Sequence, residues 1–226
     1  MAMTTWERFM RTFQHRDADR IPITDDPWET TMRRWTREGM PAAVDWCDYF
    51  DIDKVAQINI DISPRFPQTV IEETDRHIIT TSPWGVTIKN FKNSQSTPEN
   101  IDYKVTTPEE WEAAKARMTL EDDRIPWEYL KENYDRWRAE GQWIRANFWF
   151  GFDVTHARMM GTETTLIAMV EEPEFIEDIF DTYLSRCEEL YSRIWDAGYH
   201  FDQIFWWDDM GYKGTTFFLP NMYRNL

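Results

Sequence analysis

The stretch Phe201-Asp-Gln-Ile-Phe-Trp-Trp-Asp-Asp-Met-Gly-Tyr-Lys-Gly214, with Leu219-Pro-Asn-Met-Tyr-Arg-Asn-Leu226 behind it, decides the fold. An apolar run from Phe201 to Trp207 ends in two adjacent carboxylates, Asp208 and Asp209. A glycine loop follows, and Leu219-Pro220 reads as the start of a helix. That order is how a (β/α) barrel presents chemistry at the C-terminal mouth of a strand. The run is apolar on both faces, as a parallel strand covered on both sides should be. Alternation along it puts Asp209 in phase with Gln203, Phe205 and Trp207, so Asp209 is expected to face the pocket. The chain ends as the helix should begin, which predicts that part of the barrel is missing.

Working back from this strand, Pro173 to Ala197 is the strongest helix. Ile176, Ile179, Phe180, Tyr183, Leu184, Cys187, Leu190, Tyr191, Ile194 and Trp195 recur at three- and four-residue steps. Pro173 opens it and Gly198 closes it. Trp143 to Phe150 reads as the preceding strand, with a short helix at 162–170 after it. Pro126 to Glu140 is a helix ended by Gly141, and Thr107-Pro-Glu-Glu110 is a capping box that opens a helix to about Met118. Asp53 to Asp61 is a strand, and Asp19-Arg-Ile-Pro-Ile23 enters an earlier one that ends near Asp25-Asp26. Helical pieces at 27–38 and 44–50 lie between them. Thr4-Thr-Trp-Glu7 caps a first helix.

Strand and helix thus alternate four times, which predicts an α/β fold with a parallel sheet. The expectation is the first four units of a (β/α)8 TIM-type barrel, a single partial domain over residues 1–226. The β-prone runs Val70-Ile71, His77 to Thr81 and Val86 to Lys89, separated by Asp75 and Pro83-Trp-Gly85, predict a β-hairpin inserted at 64–92 after strand two.

Composition limits the function classes. The formal net charge is -16 across 226 residues. That disfavours nucleic-acid binding and docking on anionic membranes, which need basic surfaces. No stretch reaches membrane-spanning length, and the N-terminus lacks the apolar core of a signal peptide. A cytoplasmic protein acting on a small molecule is expected. The chain has 13 Trp and 14 Phe, enough to build a core and to line a pocket. Cys47 and Cys187 stand in no metal spacing and read as buried thiols.

Strand ends supply the candidate site residues. Strand one offers Thr24, Asp25 and Asp26, strand two Asn59, Asp61 and Ser63, strand three Phe150, Asp153 and His156 with Arg158 nearby, and strand four Asp208, Asp209 and Lys213. Carboxylates gathered at one mouth repel, so one should hold its proton or a cation should bind. Asp61 and Asp209 are taken as the catalytic candidates. Asp25, Asp26, His156, Arg158 and Asp208 are candidates for substrate binding. Arg33 and Arg34, on the helix after strand one, are candidates for gripping a carboxylate bidentately. Any of these aspartates can equally cap a helix. There is no His-x-Cys, no His-x-x-x-His, no P-loop and no GxGxxG.

Glu7-Arg-Phe-Met-Arg-Thr-Phe13 with Asp19-Arg-Ile-Pro-Ile23, then Trp28-Glu-Thr-Thr31 with Arg34-Trp35 and Glu38-Gly39, resembles the opening of the uroporphyrinogen decarboxylase superfamily. Asp208-Asp-Met-Gly211 with Leu219-Pro-Asn-Met-Tyr-Arg224 resembles that superfamily's fourth strand and loop. The resemblance implies a barrel enzyme that decarboxylates a tetrapyrrole without a cofactor, with Asp61, in Ile60-Asp61-Ile62, in the place of the essential aspartate. Methyl exchange with a corrinoid protein is the alternative it implies. Corrinoid or zinc enters only there, and the zinc ligands of such relatives would lie beyond this chain. An inactive, incomplete barrel is the third reading. The family's arginine clamp is replaced by Asp25-Asp-Pro-Trp-Glu-Thr-Thr31, or moved to Arg33 and Arg34, and Asp209 stands where a Ser is usual. Two unpaired sheet edges predict a homodimer or a need for a missing C-terminal half.

Overall fold

The computed structural model describes residues 2–92 and 97–225. Their elements run in the order α1 (Thr5–Phe13), α2 (Glu29–Glu38), α3 (Trp46–Phe50), β1 (Val55–Asn59), β2 (Val70–Glu73), β3 (His77–Thr81), β4 (Val86–Phe91) and β5 (Glu99–Tyr103). Then come α4 (Pro108–Lys115), a 3-10 turn at Asp122–Arg124, α5 (Trp127–Ala139), β6 (Trp143–Asn147) and α6 (Phe152–Thr155), which runs into a π-helical turn, His156–Met160. The chain continues through α7 (Thr162–Glu171), α8 (Pro173–Asp196), β7 (Gln203–Phe205), β8 (Gly211–Tyr212), β9 (Thr215–Thr216) and α9 (Pro220–Asn225). They form two compact units. The first joins Met1–Asn59, Pro126–Asn147 and Ile194–Phe205; the second joins Ile60–Ile125, Phe148–Arg193 and Trp206–Leu226.

The first unit is built on a parallel three-stranded sheet of order β1-β6-β7. Register decides what each face carries. Ala56 pairs with Ile144, and Ile58 with Ala146. Ile58, Ile144 and Ala146 are fully buried. Burying a side chain the size of Ile contributes about 1.5–3 kcal/mol. The alternate positions form polar rows instead: Gln57, Arg145 and Gln203 in one, Asn59 and Asn147 in the next. Asn147 Nδ2 donates to Gln57 and Asn59, each at 2.9 Å. The Arg145 guanidinium lies 4.1 Å from the centre of the Phe205 ring. Helix α1 has the capping box read from the sequence, and its Phe9 stacks on Trp143 at 4.8 Å.

Beneath α1 lies a buried ionic knot. The Asp53 carboxylate accepts from the Arg8 guanidinium, from Arg20 Nη1 at 2.5 Å, from the Ile23 backbone N–H at 2.8 Å and from the Thr5 hydroxyl at 3.2 Å. Arg8 also bonds Asp19 at 2.7 Å. This knot explains the first correction. Asp19 to Ile23 is not a strand, and the parallel sheet has three strands rather than four. Pro22 has no N–H to give. The Ile23 N–H is taken by the Asp53 carboxylate, and the Ile23 carbonyl by the Asp53 backbone N–H. Ile21 is left 76% exposed.

Strand β7 is shorter than its apolar run. Asp202 stops it at the start: its carboxylate takes the Ile144 N–H at 2.8 Å and the Arg138 guanidinium at 2.8 Å. Far from being covered on both sides, Ile204, Trp206 and Trp207 are exposed, because β7 pairs only with β6. Among the described residues the three strands β1, β6 and β7 do not close into a barrel.

The second unit carries an antiparallel meander, β2-β3-β4-β5. The expected two-part hairpin at 64–92 is therefore a four-stranded sheet reaching Tyr103. Glu99-Asn-Ile-Asp-Tyr103 is polar and largely exposed, so nothing in its composition announced β5. Helix α4 has the predicted capping box, with Pro108 at its first turn. Helix α8 buries Ile176, Ile179, Tyr183, Cys187, Leu190 and Tyr191, the stripe read from its spacing. Tyr183 donates to the Met159 sulfur at 2.8 Å and meets Trp111 and Trp84 edge-on. Buried Arg124 spreads its guanidinium over the carbonyls of Asp61, Ser63 and Arg117 at 2.9–3.0 Å and so fixes the loop that bears Asp61.

Both cysteines are free and buried, and burial pushes each thiol up to about 12. Neither presents a thiolate at neutral pH. Iodoacetamide at neutral pH should leave Cys47 and Cys187 unmodified in the native chain and label both in urea. Rapid native labelling of either, read by mass spectrometry, would contradict its placement. No helix among the described residues is long and apolar enough to cross a membrane.

Candidate functional site

Of the two carboxylates after β7, Asp208 is the one built into the structure. Its oxygens accept the backbone N–H groups of Asp153 at 2.6 Å and Phe152 at 3.2 Å, the free donors at the start of α6. Gly151 permits this approach. Its backbone has φ +91°, and a Cβ there would stand 2.7 Å from Asp208 Oδ2. Burial raises the Asp208 pKa above the ordinary carboxylate range, and the nearby Asp153 carboxylate adds to the rise. The two N–H bonds and the His156 ring pull the other way without cancelling it. Asp209, favoured by alternation, is exposed and accepts only the Gly211 N–H, at 3.2 Å. The alternation argument counts from a strand reaching Trp207, whereas β7 ends at Phe205 and the chain turns before the carboxylates.

His156 sits where α6 widens into the π turn. Its ring stacks on Phe152 at 4.5 Å between centroids, and Phe217 lies 5.6 Å away. Nδ1 shares a hydrogen bond with the Thr162 hydroxyl at 3.0 Å. Nε2 is buried without a hydrogen-bond partner and lies 3.6 Å from Asp153 Oδ1. Asp208, Asp153 and His156 therefore gather at one helix start, two carboxylates and an imidazole that can hold and relay protons. π turns often occur at functional sites, because the extra residue redirects side chains. Here the turn sends Arg158 over the Trp149 ring, 4.6 Å from its centroid.

Asp61 is held differently. Oδ1 accepts the Ser63 hydroxyl at 2.6 Å and the Ser63 N–H at 2.9 Å, and Oδ2 accepts Arg65 Nε at 2.6 Å. Arg65 also grips Asp123 at 2.9 Å, and Arg124 stands 3.8 Å from Oδ2. Burial by itself would raise the Asp61 pKa, but the Ser63 and Arg65 bonds outweigh it and hold the carboxyl below its usual range. Arg65 sits at φ +53°, a left-handed conformation costly for a non-glycine residue. The two carboxylates it bonds hold it there. Asp61 is thus a fixed anion, fully engaged within its loop.

Asp25 and Asp26 belong to the first unit. They border a groove of about 800 Å³ beside the free edge of β1. Asp26 accepts from Gln57 Nε2 at 2.7 Å and pairs with Arg145 at 3.3 Å, so it extends the polar row of the sheet. The Asp25 carboxylate accepts the Asp26 N–H at 2.8 Å. Arg33 and Arg34 form no clamp. Each is exposed and paired within its own helix, Arg33 with Glu29 at 2.5 Å and Arg34 with Glu38 at 2.7 Å.

Four residues of consequence have only weak sequence signals. The spacing Asp61-x-Ser63-x-Arg65 around a proline could have marked that loop as self-bonded. Arg124 and Arg145 lie far along the chain from their partners, and only folding brings them near. Asp153 carried no motif and was legible only as one of the polar residues at the end of strand three. No protein-family model, curated protein or solved structure is similar to this chain at a significant level.

Proposed function

We propose that this chain is an arc of an enzyme barrel of the uroporphyrinogen decarboxylase type, and that its second unit carries a proton-transfer site serving decarboxylation. One observation carries the reading. The Asp208 carboxyl, three residues past a parallel strand, is anchored by two backbone N–H groups, raised in pKa and set beside His156 and Asp153. A carboxyl that keeps its proton can deliver it to a substrate carbon as a C–CO2 bond breaks, and His156 can return a proton from solvent. The chain order of parallel β1, β6 and β7, with helices between, and the polar rows on one sheet face support the barrel arc. Asp61, bonded to Arg65, serves as a fixed negative charge rather than as the acid.

A porphyrinogen is the substrate that the resemblance implies. The charge of -16 and the self-paired Arg33 and Arg34 favour a substrate with fewer carboxylates. Those same arginines keep methyl exchange with a corrinoid protein as the second reading. Among the described residues no three His, Cys, Asp or Glu side chains cluster to hold a metal ion, so a zinc route would need ligands from elsewhere.

The test is release of labelled CO2 from carboxyl-labelled arylacetates and from uroporphyrinogen, run beside methylcob(III)alamin. The expected result is CO2 from the smaller acids, faster than from uroporphyrinogen, and loss of that release in Asp208→Asn. Demethylation of the corrinoid with no CO2 from any acid would overturn the decarboxylase reading in favour of methyl transfer.

A further inference from the structure

A second feature of the same unit shares Asp153 with the proton-transfer cluster. Strands β4 and β5, the turn before β4, α6 and the π turn line a cleft of about 270 Å³. Trp84, Val86, Ile88 and Pro98 give it an apolar wall, and Arg158 and Asp153 bring one positive and one negative charge to its rim. Among the described residues neither is paired with a Lys, Arg, Asp or Glu side chain. Among the described residues Arg158 has no hydrogen bond or ion pair, only the Trp149 ring beneath it. Among the described residues the Asp153 carboxylate has one ionisable partner within 4.0 Å, the His156 ring at 3.6 Å. The two do not bond each other. Opposite charges held apart over an apolar wall match a ligand that carries both charges on an apolar body.

Two smaller groups agree. The Ser82 hydroxyl accepts the Val86 N–H at 3.1 Å, which leaves its own hydrogen to donate. Asn100 anchors the far side by donating to the Ala157 carbonyl at 2.9 Å and so ties β5 to the π turn. The cleft lies just under the usual 300–1,000 Å³ of small-molecule pockets. That excludes a tetrapyrrole and admits a ligand the size of one amino acid.

We infer that this cleft binds a small amino carboxylate with an apolar side chain, its carboxylate on Arg158, its ammonium on Asp153 and its apolar part against Trp84 and Ile88. A planar guanidinium backed by an indole ring is preorganised for bidentate carboxylate contact. The inference does not depend on decarboxylation, since it concerns binding alone.

The test is calorimetric titration of the full chain with L-leucine, with 4-methylpentanoate, which lacks the amine, and with 3-methylbutylamine, which lacks the carboxylate. L-Leucine should bind at least tenfold more tightly than either. Arg158→Gln should bring L-leucine down to the level of the amine, and Asp153→Asn down to that of the acid. Far-UV circular dichroism and melting curves establish that both variants remain folded, and two independent substitutions guard against loss of one. No leucine binding, equal binding of 4-methylpentanoate, or undiminished leucine binding in Arg158→Gln would each overturn the inference. Because no turnover is measured, its failure leaves the CO2 assay standing, and the reverse holds.

Discussion

Asp53→Ala should destabilise the native chain by about 3–5 kcal/mol, the range seen when one partner of a buried ion pair is removed. Arg8 is 5% exposed and Asp53 3%. Without the carboxylate, the Arg8 guanidinium keeps Asp19 and the Met3 carbonyl but loses its most buried partner. Arg20 loses its closest acceptor, and the Ile23 N–H and Thr5 hydroxyl lose theirs. The effect spreads, because the same side chain ties α1, the 19–23 segment and the entry to β1. A urea titration followed by circular dichroism would read it as a lower midpoint. The double variant Arg8→Met with Asp53→Leu should recover much of the loss, since an apolar pair needs no desolvated charge. A single-variant change below 1 kcal/mol would mean that water reaches the knot.

Asp208→Asn should lower the decarboxylation proposed above by about a hundredfold or more, the usual contribution of a positioned general acid. Its pH dependence gives the sharper readout. A raised carboxyl stays protonated to higher pH than an ordinary Asp, so wild-type activity should fall as pH rises through that raised value. The residual activity of the variant should lack this limb. Stability carries the same sign. A folded-state pKa above the unfolded one contributes stability fully present below the unfolded value, about 3.9 for Asp. That contribution is lost as pH rises through the folded value. Urea midpoints of wild type should therefore fall relative to those of Asp208→Asn over that window, because the carboxyls held low, Asp61 among them, act alike in both proteins. Asparagine puts an NH2 in place of one of the two oxygens that accept the Phe152 and Asp153 N–H groups, which adds a pH-independent cost of about 1–3 kcal/mol. Parallel pH profiles for the two proteins would remove Asp208 from the role.

Much of the local structure was legible because its causes are local. Thr4 with Glu7 and Thr107 with Glu110 cap their helices within one turn, and the stripe from Ile176 to Tyr191 fixes the buried face of α8 by spacing alone. Asp61, His156, Arg158 and Asp208 were legible as polar residues just past apolar runs. Their states were not. Asp61, with its pKa held down, and Asp208, with its pKa pushed up, carry the same side chain. One differs from the other through Arg65, Ser63 and Arg124, the other through Gly151, two backbone N–H groups and burial.

The sequence by itself therefore determined the caps of α1 and α4, the buried face of α8, and that carboxylates follow the parallel strands. Caps, periodicity and strand-end polarity all act within a few residues. Only the tertiary structure decided that Asp19 to Ile23 gives its hydrogen bonds to Asp53 instead of to a sheet, that β5 joins the meander, and that Asp208 rather than Asp209 turns inward. Each of those outcomes is a competition for hydrogen-bond partners distant along the chain, settled by which donor or acceptor folding leaves buried and unpaired.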